Sequence, residues 1–356
     1  MTSARSDTPS GQNGARATLR DVAKLAGVHV TTASRVMDPQ RSGTVNPSTA
    51  DRVLRAAETV GYRKHLVASN LRRGRTGTVG VVVPDLANPY FALVVRGVYE
   101  RLERAGEMVS VVAETRDDPA RFDRILGHLA ERRVDGIIVA AARAGDALRL
   151  EYFAENSAPV VLAVRSLPDS RVPVVCTGDH DGGVLAASHL VALGHHIVGQ
   201  IRGPSEIGPF RTRAEGFAEA VSRSGKCVVE TREPAIAAVY EEGYRLATEL
   251  LHSDRRPTAL FAGNDTMAIG AIDALRAAAL SCPEDVSVIG YNDNAFMDHI
   301  SPPLTTIRVA NYEIGLRAAE ILDALTRGEV VPRSSVFDAV LVVRESTRPI
   351  QATTPE

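Results

Sequence analysis

Residues 18–37, TLRDVAKLAGVHVTTASRVM, constrain the fold more than any other stretch of the chain. Thr18 stands three residues before Asp21, the spacing of a capping box in which the hydroxyl caps a helix start. Leu19, Val22, Ala23 and Ala26 recur at helical spacing. Gly27 then ends the helix where a positive φ costs least. In the next segment Val30, Ala33 and Val36 point one way, while Thr31, Thr32, Ser34 and Arg35 fall largely elsewhere. Two short helices around a Gly-containing turn read as a helix-turn-helix. Ala23 is small enough for the helices to cross closely, and the second helix carries short polar groups and one Arg, suited to base edges and phosphates. A plain helical hairpin within a core fits the same pattern, so the rest of the chain has to decide.

Charge is unevenly distributed. Residues 1–75 hold 13 Lys+Arg and 5 Asp+Glu, a net +8, and the remainder holds 28 and 38, a net −10. A basic head on an acidic body is the footprint of a nucleic-acid module joined to a unit with other partners. Residues 1–17 are polar and read as a disordered tail. Asn46-Pro47 announces a third helix, with Val53, Leu54, Ala57 and Val60 as its apolar stripe and Gly61 at its end. Residues 63–77, RKHLVASNLRRGRTG, form a cationic linker whose centre is too short to hold a helix alone in water.

From Thr78 the texture changes to apolar runs alternating with amphipathic stretches, as far as DVSVIGY. This alternation predicts an α/β fold, with more than 250 residues suggesting two doubly wound parallel sheets and a ligand cleft at the carboxyl ends of their strands. Trp is absent, which removes one source of stacking surface. The three cysteines lie far apart and read as reduced thiols of a cytoplasmic protein. His195-His196 fits the start of a strand better than a metal site. The N-terminus has no signal-peptide core and no 18-residue apolar run occurs, so neither secretion nor a membrane partner is expected. No phosphate-binding or nucleophile-elbow glycine motif is present. An enzyme, a cofactor and a metal are therefore not expected.

Taken in order, LRDVAKLAGV…TTASRVM, NPSTADRVLRAAETVGY, VGVVVPDLANPYF, RRVDGIIV, HLVALGH, RPTALFAGNDTMAIGA, PEDVSVIGYND, PPLTTIR and LVVRES closely resemble the LacI-type (lactose-repressor) family of transcriptional regulators, from about Thr18 to Arg348. The resemblance implies a helix-turn-helix at 18–62, a hinge helix at 63–77, and a periplasmic-binding-protein-like core at 78–349, followed by a tail at 350–356. It places the N-subdomain at about 78–177 and 309–340 and the C-subdomain at about 179–306 and 343–349. The crossings then fall near Thr177–Asp179, Thr306–Val309 and Val340–Val343. It also implies a homodimeric repressor that binds pseudo-palindromic double-stranded operator DNA and answers to a small-molecule effector, a sugar by family habit. A solute-binding protein with the same core and no DNA binding is the alternative.

Carried over by position, Val30, Thr31 and Arg35 read the operator, with Thr18 and Thr32 beside them. Leu71 wedges into the minor groove, flanked by Ala68 and Asn70. The effector site takes Tyr90, Phe91, Arg213, Asn264, Asp265 and Asn292; Arg213 offers forked donors to hydroxyl pairs or a carboxylate. His29 stands where the family usually has a capping Ser, Lys64-His65 where it has Pro-Asn, and Asn292 where it has a sugar-chelating Asp. The helix from Phe91 to Leu102 is a candidate for the dimer interface or for sheet-facing core. No leucine heptads follow the core, so a dimer is expected rather than a tetramer.

Overall fold

The computed structural model describes residues 17–37, 42–62, 76–105 and 109–350. The hinge candidates Ala68, Asn70 and Leu71 lie outside the described residues. The chain divides between Arg75 and Thr76 into two compact units.

The first unit is a three-helix bundle: α1 (Leu19–Ala26), α2 (Val30–Val36) and α3 (Pro47–Thr59). Its core is Val22, Ala23, Ala33, Val36, Val53, Ala56 and Ala57, all small or β-branched, so the helices approach closely. Asp21 holds the start of α1, accepting from the Thr18 amide at 2.8 Å and its hydroxyl at 2.7 Å. Gly27 adopts φ +62° and the next amide closes back on the Ala23 carbonyl at 3.0 Å. This is the left-handed helix stop that glycine permits. The Asn46 side chain caps α3 by accepting from Ser48 at 3.0 Å, with Pro47 in the first turn. One stripe residue is corrected: Leu54 is 47% exposed, and Ala56 faces the core instead.

The second unit contains two six-stranded sheets. The first uses β1 (Thr78–Val83), β2 (Val109–Glu114), β3 (Gly136–Val139), β4 (Val160–Ala163), β5 (Val174–Thr177) and β11 (Ser334–Phe337), in the order β11-β5-β4-β3-β1-β2, all parallel. The second uses β6 (Ile197–Ile201), β7 (Val228–Thr231), β8 (Ala259–Ala262), β9 (Ser287–Asn292), β10 (Thr305–Arg308) and β12 (Val340–Val342), in the order β12-β10-β9-β8-β6-β7. Only β12 runs antiparallel to its neighbour among the described pairings. The inner strands are buried on both faces, which explains their uninterrupted apolar sequence. The connecting helices are α4 (Pro89–Ala105), α5 (Pro119–Glu131), α6 (Ala147–Asn156), α7 (Asp179–Ala192), α8 (Gly208–Ser224), α9 (Tyr240–Leu251), α10 (Asp265–Ala277) and α11 (Asn311–Thr326).

The chain leaves the first sheet after Thr177, returns to it between Arg308 and Asn311, and leaves again between Phe337 and Val340. The last passage lies earlier than the sequence reading places it, because Val340, Leu341 and Val342 already pair with β10 of the second sheet. The alternation read from the sequence stopped at β9, whereas the structure continues it through α11. That helix is buried on most sides, with only Glu313 fully exposed, so it shows no polar stripe. In α4, Val94, Val98 and Leu102 are core, whereas Leu93 and Tyr99 remain exposed.

Reciprocal glycines bring helices into backbone contact. Gly97 of α4 and Gly315 of α11 each lie against the other helix, and a Cβ on Gly97 would meet the Tyr312 carbonyl and, at 2.8 Å, the Leu316 amide. Gly183 of α7 and Gly216 of α8 repeat the device, as do Gly243 of α9 and Gly270 of α10. Backbone opposite a new methyl cannot step aside as a flexible side chain can. Gly97→Ala should therefore destabilise the core by about 1–3 kcal/mol. Gly127→Ala in α5, where a Cβ meets nothing within 4 Å, should be neutral or stabilising by ~0.5–1 kcal/mol. Thermal melts of both variants check this; equal midpoints would contradict the close-approach account.

Candidate functional site

The second helix of the bundle, α2, is short, and its start depends on His29. His29 adopts extended geometry (φ −69°, ψ 148°), and its Nδ1 accepts from the Thr31 amide at 3.3 Å. The same nitrogen meets the Thr31 hydroxyl at 2.8 Å. An imidazole thus takes the place of a capping Ser. With Nδ1 accepting, the Thr31 hydroxyl keeps its lone pairs for a base-edge donor. Thr31 and Arg35 are one turn apart and exposed, while Val30 and Thr32 are half-buried. Thr18, which the sequence groups with these residues, sits at the start of α1 in a capping box with Asp21, to which its hydroxyl donates at 2.7 Å.

In the second unit a cavity of about 590 Å³ opens where the carboxyl ends of the two sheets meet. The loops after β1, β2, β3 and β4 supply Asp85, Asp117, Arg143 and Arg165; those after β6 and β8 supply Glu206 and Asn264, and the last residue of β9 is Asn292. Tyr90, Phe91 and Phe210 give it aromatic walls.

Arg213 is the most constrained group. It is 6% exposed. Nη2 donates to Asp179 at 2.8 Å, Nη1 to the Gly263 carbonyl at 2.5 Å, and Nε to the Pro209 carbonyl at 3.2 Å. The guanidinium lies 3.8 Å from the Tyr291 ring centre and 4.8 Å from that of Phe210. Three of its five N–H groups are engaged, leaving two for a ligand. The Gly183–Gly216 contact explains the placement, since it presses the first turn of α7, where Asp179 lies, onto α8 beside Arg213.

The other cavity cations are paired as well. Arg165, 4% exposed, grips Asp117 through both terminal nitrogens at 2.5 and 3.2 Å. Arg143 donates to the Asp117 carbonyl and lies 3.5 Å from Glu206 on the opposite half. Arg116 pairs with Glu114 at 3.0 Å. The wall therefore presents donors and acceptors in balance. It is also conformationally loaded: Arg116, Asp117, Val164 and Asn292 all take positive φ, and Val164, at +69°, is β-branched. Such conformations persist where surrounding contacts over-determine them, and they cluster at functional sites.

Of the effector residues read from the sequence, Tyr90, Phe91, Arg213, Asn264 and Asn292 line the cavity. Asn264 does so with its amide already committed, accepting from Met267 at 2.8 Å to cap α10 and donating to the Ala238 carbonyl at 3.0 Å. Asp265 is corrected. It does not line the cavity, is 0% exposed, and accepts from the Asn294 amide at 2.7 Å and the Thr306 hydroxyl at 2.6 Å. An Asp in the first turn of a helix whose cap faces the cavity points back into the sheet. Sequence reasoning missed Asp117, Arg143, Arg165, Glu206 and Phe210. Arg165 was findable, because it directly follows the apolar run PVVLAV and so stands at a strand's carboxyl end.

The signature described as "Bacterial regulatory proteins, lacI family" matches residues 18–65, and that of a "Periplasmic binding protein-like domain" matches residues 187–347. The HTH-type transcriptional repressor PurR of Haemophilus influenzae is 35% identical over 339 residues, 94% of this chain and 99% of the relative. The chain belongs to the lacI family of bacterial regulatory proteins. The family member CytR of Escherichia coli, an HTH-type transcriptional repressor, is 30% identical over 93% of this chain and 96% of its own. Among solved family structures, the lac repressor dimer bound to operator and the anti-inducer ONPF has a TM-score of 0.84 at 28% identity, covering 94% of this chain and all of that one. The CelR–cellobiose complex has a TM-score of 0.69 at 31% identity, covering 93% and 100%. This family member is accordingly a DNA-binding transcriptional regulator with a periplasmic-binding-protein-like core, and its relatives PurR and CytR are transcriptional repressors.

Asp265 carries a pH signature. Burial pushes its carboxyl from 3.8 up to about 7, against the opposing pull of the Asn294 and Thr306 hydrogen bonds. The folded core then holds a proton that the unfolded chain releases between pH about 4 and about 7. Its contribution is full below that window and lost as pH rises through it, on the order of 4 kcal/mol at most. Asp265→Asn keeps both contacts, with the amide oxygen accepting from Asn294 and the amide nitrogen donating to Thr306. The variant's melting point relative to the unmodified protein should climb between pH 5 and pH 8. A pH-independent difference would contradict the shifted carboxyl.

Proposed function

We propose that the chain is a cytoplasmic, homodimeric repressor that acts by binding rather than catalysis. Its head reads a pseudo-palindromic operator through Val30, Thr31, Thr32 and Arg35 of α2, with Thr18 at the neighbouring backbone. Ala68, Asn70 and Leu71 of the linker engage the minor groove. The effector occupies the cavity between the two sheets, against Tyr90, Phe91, Arg213 and Asn292. The observation that carries the reading is the presence, in one chain, of an exposed Thr31–Arg35 face on a basic head and a charge-balanced cavity at the carboxyl ends of both sheets.

Balance also bears on the effector. Every guanidinium in the wall is neutralised by a carboxylate, so an anionic ligand gains no free cation. A neutral ligand rich in hydroxyl groups finds paired donors and acceptors beside aromatic faces. A sugar or related metabolite fits this, in keeping with the cellobiose and ribose held by two similar proteins. The exposed Leu93 and Tyr99 of α4, with Val109 and Val111 on the edge strand β2, supply an apolar face for the second protomer. A solute-binding role without DNA leaves the basic head unexplained.

Effector occupancy changes operator affinity by shifting the core between two arrangements, with a coupling of about 1–3 kcal/mol or roughly 5- to 150-fold. Anisotropy titrations with promoter DNA test the reader. Affinity should fall roughly 10³- to 10⁵-fold between about 50 and 200 mM salt if six to ten phosphates are contacted. Arg35→Ala should weaken binding further by about 1–3 kcal/mol. No binding at low salt would remove the regulator reading.

A further inference from the structure

The end of β9 meets every passage of the chain between the two subdomains. Tyr291 lies under the Arg213 guanidinium, which bonds Asp179 at the first passage. Asp293 Oδ2 accepts from Arg308 Nε at 2.7 Å, at the second passage. Asp293 Oδ1 accepts from Arg344 Nη2 at 2.7 Å, just beyond the third. Arg344 is fixed in turn by the Leu304 carbonyl at 2.7 Å and the Thr305 hydroxyl at 2.9 Å. Between Tyr291 and Asp293 stands Asn292, a cavity wall residue.

The backbone makes this arrangement a mechanical junction. Asn292 has φ +121° and Asp293 has φ +56°, so two consecutive residues hold left-handed conformations. Asn292 is also paired in register with Arg308 across β9 and β10. A ligand that moves Asn292 therefore acts on the peptide bearing the one carboxylate to which both later passages are tied. The Asp293 side chain is 7% exposed, and its two arginines reach it from β10 and from the segment that follows β12. Hydrogen bonds to a carboxylate taken out of water are among the stronger ones, and replacing it by an amide leaves a single oxygen to accept, so one of the two guanidiniums loses its acceptor.

We propose that Asp293 is the positioning residue that couples occupancy of the cavity to the second and third inter-subdomain passages, by locking them to the strand end that carries Asn292. The inference rests on the effector reading of the cavity, yet it concerns how tightly the two halves are held with the cavity empty. It requires neither effector nor operator to be tested. Arg143 and Glu206, 3.5 Å apart on opposite halves, mark where loosening would appear at the mouth.

Hydrogen–deuterium exchange of the full chain, with neither DNA nor added ligand, provides the test. Asp293→Asn should raise exchange about tenfold in the 114–118 and 143–146 segments of the first subdomain, which Asp293 does not touch. Asp293→Glu, which restores the charge, should return it most of the way. Arg308→Gln removes one arm at an exposed position and should give a smaller rise, covering the case in which Asp293→Asn fails to fold. Asp298→Asn, an exposed carboxylate in the same region, should change nothing at 114–118. Increased exchange confined to 292–310 and 340–346, or none anywhere, would overturn the proposal. Loss of DNA binding in a separate assay would bear on the regulator reading and leave this result standing.

Discussion

A guanidinium buried among a carboxylate, two carbonyls and two aromatic rings holds the centre of this molecule. Arg213 and Asp179 are taken out of water together, a step that costs several kcal/mol per ion unless geometry and further hydrogen bonds offset it. Here they do: Nε and both terminal nitrogens are engaged, and the Tyr291 and Phe210 rings face the cation. Asp179 opens α7 at the first passage between the sheets, Arg213 looks into the cavity, and Tyr291 is the penultimate residue of β9. One ion pair thus fixes a crossing, a wall and a strand end. The remaining cavity cations follow the same logic, each matched to a carboxylate, which gives a polar chamber with little net charge.

Helix packing makes that geometry possible. Gly183 against Gly216 lets α7 and α8 touch through their backbones, and only then does Asp179 reach Arg213. The same device joins α4 to α11 and α9 to α10. Of the eight non-glycine residues with positive φ among those described, Arg116, Asp117, Val164 and Asn292 line the cavity and Asp293 adjoins it. Residues held in such conformations are over-determined by their surroundings and cluster at ligand clamps and switch regions.

Much of this was legible in the sequence, for identifiable reasons. The head announces itself through caps and small residues, and its three helices follow from Thr18–Asp21, Gly27 and Asn46-Pro47. Uninterrupted strands such as TVGVVVP reveal a doubly wound body because two-faced burial leaves no alternation to hide them. Arg213, Tyr90, Phe91 and Asn292 could be placed by resemblance. Asp265 could not, because a motif fixes the position of a residue along a helix and leaves the direction of its carboxylate to the fold. Arg165, Asp117, Arg143 and Glu206 escaped because single charged residues in loops look like solvated surface until the sheets bring them together. The helix α11 escaped because burial on most sides erases its amphipathic stripe. His29 shows the converse: it breaks the expected capping residue type, yet the imidazole supplies the missing acceptor.

On the proposed function, one small molecule in the cavity changes how the head holds DNA. The most direct measurement pairs a thermal-shift screen of neutral sugars and nucleosides with DNA anisotropy on the same purified protein. A compound that stabilises the core should also change DNA affinity, by roughly 5- to 150-fold, and Arg213→Ala should abolish both effects while DNA binding without the compound persists. A compound that saturates the cavity and leaves DNA affinity unchanged would contradict it.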